Sequence, residues 1–363
     1  MSKLAIDIIV PVWNRPTETR ECLVNLAATA PEARLILVNN GSERETENLL
    51  EEFAEALDER ALLISNRTNL GFVRAVNRGL MRVEAEWAAI MRNRSLVSQG
   101  WLEPLLALAI TTPEAGVIVP RLVRSPLGRK AHPGAPPVSI TEMSHGDFAA
   151  MLVRKELHGR IGAFDEEMDG GTWCLKDFSR RALRAGFLTF AAEGSPVLFT
   201  EEPPLGSAMR REEILARSRA SYVARWGEER SFCVYFPKEA DSDGVRRKFE
   251  VMLRGARQGH SFTVLVHPKT FRDLLRDGCG SLHRSIRIEE LPRLFADVRA
   301  QRVVASLRDV EPGVMPVAGF DGMPFPGVER ATPFAELERV IAATQTERYG
   351  EKPQPWPSPC HQV

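Results

Sequence analysis

The sequence predicts an α/β protein: a mostly parallel sheet wrapped by helices, followed by a second, smaller α/β domain. Three observations carry this. Short β-branched apolar runs alternate with segments whose apolar residues recur at helical spacing, the pattern that builds βαβ units and a parallel sheet. At 363 residues the chain is long for a single core, since cores stop growing near ~250–300 residues. The composition also breaks at Trp226-Gly227-Glu228-Glu229-Arg230, after which a new apolar strand begins. The expected divisions are 1–228, 229–348 and a tail over 349–363.

The first element is the run Ala5 to Val12, short, β-branched and interrupted by Pro11, as a buried strand should be. Thr17 opens a helix carrying Cys22, Leu23 and Leu26, and Leu35 to Val38 is the next strand, ending in Asn39-Asn40-Gly41-Ser42. The alternation continues with a helix over 46–57, a strand over 61–65, a helix over 71–83 and a strand over 87–91. Ligands of such sheets sit beyond the carboxyl ends of the strands. The turns gathered there are Trp13-Asn14-Arg15, Asn39 to Ser42, and Arg92 to Ser95. The stretch between Arg124 and Thr141 is rich in proline, glycine and basic residues and reads as an exposed loop, a candidate lid or acceptor loop. In the second domain the same reasoning places strands at 232–236, 262–266, 284–288 and 302–306, with helices over 244–258 and 270–276. Pro353, Pro355, Pro357 and Pro359 make the tail extended.

Charge and cysteine usage narrow the function classes. Forty-eight basic residues balance forty-eight acidic ones, so no global field draws the protein to nucleic acid, and an anionic ligand must be held locally. The five cysteines show neither metal-ligand nor redox spacing, which fits a reducing cytoplasm. No secretory leader and no run of about 18 apolar residues is present, so any membrane contact is expected to be peripheral.

Several motifs together resemble the family 2 glycosyltransferases. The opening Ile8-Ile9-Val10-Pro11-Val12-Trp13-Asn14-Arg15 is one, and Val38-Asn39-Asn40-Gly41-Ser42 looks like the family element that contacts nucleobase and ribose. The closest match is Asn69-Leu70-Gly71-Phe72-Val73-Arg74-Ala75-Val76-Asn77-Arg78-Gly79. Trp101-Leu102, Gly162-Ala163-Phe164-Asp165-Glu166, the helix from Asp177 to Phe187 and Tyr222 to Gly227 follow in the family's order. The resemblance implies a Rossmann-like mixed sheet of the A-type nucleotide-diphosphosugar transferase fold. It implies transfer of a sugar from a nucleotide-sugar donor to a glycan, lipid-linked or protein acceptor with inversion, as in polysaccharide biosynthesis. It also implies nucleotide contacts from Pro11, Trp13, Asn14, Arg15, Asn39, Asn40, Ser42, Asn69, Gly71, Phe72, Arg74 and Asn77.

Two departures fall on the chemistry. Family members typically hold Mg2+ or Mn2+ on an acidic motif after the strand ending at Met91, where this chain has Arg92-Asn93-Arg94. Hard cations need anionic oxygens, so the expectation is no metal site, with Arg92, Asn93 and Arg94 meeting the diphosphate and Arg94 as the principal contact. The family's Glu-Asp-x-Asp reads Cys174-Leu175-Lys176-Asp177, leaving Asp177 as the candidate base or, equally, a helix-capping group. Asp165, Glu166, Glu167 and Asp169 are nearby alternatives. A reading of a different class is a catalytically impaired module that binds or assembles surface-glycan or flagellar modification machinery.

Overall fold

A computed structural model describes residues 6–124, 140–200 and 207–346. The expected lid loop, over 125–139, and the proline-rich tail lie outside the described residues. The chain divides into two compact units, Met1–Ile140 with His145–Tyr222, and Thr141–Ser144 with Val223–Val363.

In chain order the first elements are β1 (Ile6–Val12), α1 (Pro16–Thr29), β2 (Arg34–Asn40), α2 (Arg44–Leu57), β3 (Ala61–Asn66), α3 (Phe72–Leu80) and β4 (Trp87–Met91). Then come β5 (Ser95–Val97), α4 (Leu102–Thr111), β6 (Ala115–Arg124), β7 (Ile140–Glu142), β8 (Ala150–Arg154), α5 (Lys155–Ile161), α6 (Trp173–Arg184), β9 (Leu188–Phe199) and α7 (Ala208–Trp226). The large sheet runs β3-β2-β1-β4-β8-β6-β9-β5. Pairings among β3, β2, β1 and β4 are parallel, whereas β8 is antiparallel to β4 and to β6. All seven residues of β1 are buried, which is what a strand covered by helices on both faces requires. Because the four parallel strands point the same way, their carboxyl ends and the four following loops share one edge of the sheet. That edge positions the site.

The second unit continues with β10 (Ser231–Tyr235), α8 (Ser242–Arg257), β11 (Ser261–Val266), α9 (Pro268–Arg276), β12 (Ile286–Glu290), α10 (Ala296–Val310), β13 (Met315–Ala318), β14 (Thr332–Pro333) and α11 (Phe334–Thr346). Its sheet is parallel throughout in the order β12-β11-β10-β13-β14. Alternate residues of β10 serve opposite cores: Phe232 and Val234 pack with Phe249, Met252 and Phe334, while Cys233 and Tyr235 pack with Leu291, Val303 and Val304. The expected strand at 302–306 is not one. It lies inside α10, whose Ala300, Val303, Val304 and Leu307 fall on one helical face toward that second core, so the 3.6-residue spacing prevails over the β-branched Val303-Val304 pair. Residues 141–144 join this unit through Glu142, whose N–H donates to the Leu282 carbonyl and whose carbonyl accepts from Arg284 N–H. Both Glu142 carboxylate oxygens accept from the Arg257 guanidinium at 2.6 Å.

Candidate active site

The loops at the carboxyl edge are tied to one another by their own side chains. Asn14 and Arg15 close β1 in left-handed conformations, φ 57° and 63°, a state asparagine tolerates and arginine enters only when its surroundings hold it. Asn14 N–H donates to Ser42 Oγ at 2.9 Å, and Asn14 Oδ1 accepts from Glu43 N–H at 2.7 Å. Ser42 N–H in turn donates to Asn39 Oδ1 at 3.0 Å. These bonds fasten the β1 and β2 loops together. Pro11 is buried in β1, and Trp13 alone of this group presents a large apolar face to solvent.

The asparagines expected to read a nucleotide are mostly turned inward. Asn40 Nδ2 donates to Asn69 Oδ1 and to the Gly71 carbonyl, while its Oδ1 accepts from Asn66 Nδ2 and from Leu70 N–H. Asn69 Oδ1 also accepts from Gly71 N–H. Asn77 spans to the segment before α6, exchanging bonds with both Phe164 N–H and carbonyl and reaching Glu166 Oε1. Asn40 and Asn77 are buried with both ends of their amides engaged, which gives these two side chains a structural role in place of a direct contact to a base, while Asn39, also buried, has its Oδ1 engaged by Ser42. Asn40 and Asn77 thereby shape the edge. Arg74 is exposed and pairs with Glu166 at 2.8 Å.

The β4 loop supplies the positive charge. The Arg92 guanidinium lies 5.0 Å from the centre of the Phe72 ring, an arrangement that fixes its plane. Phe72 begins an aromatic series through Phe148 and Phe164 to Phe178, with successive ring centres 5.1, 5.2 and 4.2 Å apart. Arg94 is buried, and burial lowers its pKa, with Arg92 and Arg15 adding repulsion against which Glu18 acts. Burial likewise lowers Arg92, which Asp147 and Asp169 oppose. Three guanidiniums thus share one end of the sheet, a concentration of like charge that an anion relieves. Asn93 is the exception: buried, it donates to Thr19 Oγ1 at 2.8 Å in α1, so its expected place at the diphosphate is corrected to a strut beneath the loop. Arg94 is 7% exposed and Arg92 half-buried. The Arg92-Asn93-Arg94 loop itself offers no anionic oxygen to a divalent cation, and the carboxylates acting on Arg92 are those of Asp147 and Asp169. No group of three or more metal-capable side chains occurs among the described residues.

The acidic side differs from expectation as well. Asp177 has no exposed side-chain surface and is paired to Arg181 at 2.8 Å, while Arg181 also donates to the carbonyls of Ile161 and Ala163. This carboxylate holds the loop before α6 and cannot meet an acceptor hydroxyl, so the base assignment to Asp177 is withdrawn. Asp169 is placed differently. Its Oδ2 lies where a side chain on Gly71 would begin, 2.7 Å from the position of such a Cβ, and Gly71, at φ 96°, leaves that space open. The residue is exposed while its carboxylate is crowded: burial pushes the pKa up to about 6, and the Val73 N–H, Arg74 and Arg92 pull against it. Sequence spacing gave Asp169 no distinction from Asp165, Glu166 and Glu167. Its signal is the fold, which sets it beside Gly71 and within reach of the charge of Arg92, both far away in the chain.

Comparison with known proteins bears on the fold and on the family of the first unit. Residues 7–164 match the family described as Glycosyl transferase family 2. An uncharacterized glycosyltransferase of Haemophilus influenzae is 29% identical over 102 residues, covering 28% of this chain and 31% of the relative. The match therefore spans about a third of that relative's length. Among solved structures, GalNAc-T7 with UDP, GalNAc and Mn2+ superposes with a TM-score of 0.53 at 13% identity, over 62% of this chain and 48% of that one. This likeness establishes the A-type transferase fold.

Proposed function

We propose that this chain, which carries a family 2 glycosyltransferase domain over residues 7–164, transfers a sugar from a nucleotide-sugar donor with inversion and holds the donor diphosphate on arginines. The observation that carries the reading is the convergence of Arg15, Arg92 and Arg94 at the edge where the sheet's parallel strands end, together with the crowded carboxylate of Asp169 within reach of the charge of Arg92. Asp169 would take the proton of an acceptor hydroxyl as that oxygen attacks the anomeric carbon. The bond from that carbon to the diphosphate then breaks, and its electron pair leaves on the phosphate oxygen. Charge grows on the leaving group in this step, and preformed positive groups lower its cost most where water is scarce. Trp13 is suited to stack on a planar or apolar face of the donor. A glycan, lipid-linked or protein acceptor, a role in polysaccharide biosynthesis and a cytoplasmic location accord with this reading.

Donor binding tests it. A panel of nucleoside diphosphates titrated by calorimetry should give an affinity that EDTA and Mn2+ leave nearly unchanged. Arg92→Ala should weaken that binding about tenfold or more, since a hydrogen bond between charged groups contributes about 1.5–3 kcal/mol. Binding that appears only with Mn2+ would overturn the arginine assignment. Tight donor binding without any turnover would instead favour the second reading, an impaired module that binds the donor, to which the inward-turned Asp177 lends support.

A further inference from the structure

The second unit carries a surface feature that neither its core nor the transferase site uses. Beyond β12 the chain runs Leu291-Pro292-Arg293-Leu294-Phe295 into α10. Leu291 is buried, and then Leu294 and Phe295 are 75% and 80% exposed, with Val298 on the first turn of α10 also exposed. Phe295 is held in the left-handed region at φ 59° and ψ 31°, a conformation that a bulky residue adopts at a cost of order 1 kcal/mol. Its carbonyl accepts from the Arg299 N–H at 3.1 Å at the start of α10, a bond that glycine would make equally, so the helix start does not require the aromatic ring. Beside it, at the carboxyl ends of β11 and β12, lies a cleft lined by Pro268, Arg272, Leu291, Pro292, Arg293 and Arg299, with Glu290 its single acid. Lys269 is exposed on the same edge. Glu289 pairs with Arg299 at 2.7 Å and with Arg287 at 3.3 Å, which engages those two arginines, and Asp297 lies in the first turn of α10.

We infer that this edge of the second unit docks on an anionic phospholipid surface, with Leu294 and Phe295 entering the interface and Arg272 and Arg293 of the cleft meeting lipid phosphates. The two features suit a bilayer better than a soluble ligand or a protein. Apolar side chains at a loop tip gain by reaching the acyl boundary, while guanidiniums set back from the tip meet the headgroup layer, where each basic group adds attraction that salt screens. A phosphorylated small molecule would engage the cleft and leave Leu294 and Phe295 in water. The inference is independent of the transferase reading.

Co-sedimentation of the full chain with phosphatidylcholine vesicles, with and without phosphatidylglycerol, tests it. Capture should require the anionic lipid and weaken with added salt. Phe295→Gly separates docking from folding, because glycine enters the left-handed region freely: its melting temperature should equal or exceed the parent's while vesicle affinity falls about tenfold or more, as expected for losing a buried phenylalanine side chain. Arg293→Glu should lose affinity most at low salt. The inference fails if the parent chain ignores anionic vesicles, or if Phe295→Gly binds them as well as the parent. It also fails if the patch proves to hold two copies together, seen as a concentration-dependent dimer that Phe295→Gly dissolves.

Discussion

Asp169→Asn is expected to lower sugar transfer by about 100-fold or more, the usual contribution of a positioned base, with donor affinity and melting temperature near the parent's. The substitution is informative because of what it preserves. Asp169 accepts from the Val73 N–H in the first turn of α3, so it also serves that helix start, where an acceptor satisfies an unpaired donor. An asparagine oxygen can still accept that bond while the amide cannot take a proton. A purely capping role therefore predicts little change in rate, and a base predicts collapse of turnover in a folded protein. The pH profile adds a second readout. With the carboxyl pushed up to about 6, the base is protonated below that value and the rate should fall as pH drops through it; this acid limb should be absent from any residual activity of the asparagine variant. Undiminished turnover in Asp169→Asn would remove the assignment, and a profile flat through pH 6 would do the same.

How far the sequence reveals this protein depends on whether a residue's role is set by its neighbours in the chain. Strands such as Trp87–Met91 and helices such as Arg44–Leu57 follow from local periodicity and match the structure to within a residue or two. Arg302 to Ser306 was misleading because five residues cannot separate a buried helical face from a strand, and the span of Ala300 to Leu307 decides it. The signature asparagines were legible as important but not in what they do. Asn40 and Asn77 bond across 26 to 89 positions, and those partners, unlike the spacing, make them struts. The same distance hid Asp169 beside Gly71 and the attachment of Glu142 to Arg257, 115 positions apart. Charge type survived better: Arg92 and Arg94 lie at a strand end where a ligand belongs, and the structure changed only which of them is open.

Asp7→Ala is expected to destabilise the first unit by about 3–5 kcal/mol, the cost of removing one member of a buried, hydrogen-bonded ion pair. Asp7 stands in an apolar strand with a side chain 5% exposed. Its Oδ1 accepts from Arg34 Nε at 3.0 Å, and its Oδ2 accepts from Arg34 Nη2 and from the N–H groups of Glu84 and Ala85 at 2.9, 2.7 and 3.1 Å. One carboxylate thereby joins β1, the start of β2 and the turn before β4. Burial pushes the Asp7 carboxyl up, but the Arg34 guanidinium and the two backbone donors outweigh it and hold the group below its ordinary value. Without it, Arg34 keeps only Glu84 among its carboxylates, and Glu84 is 80% exposed, where a pair contributes little. The sign of the pH dependence follows from the lowered value: the stabilisation is fully present above the ordinary carboxyl range near ~4 and is lost as pH falls through the lower folded-state value. Urea midpoints of the parent, Asp7→Ala and Asp7→Asn should therefore differ most near neutral pH and converge on acidification, with the asparagine variant between the others because it keeps one acceptor. If the gap between parent and Asp7→Asn stays constant down to strongly acid pH, the carboxylate's charge is not what secures β1, and packing of the side chain must account for the loss.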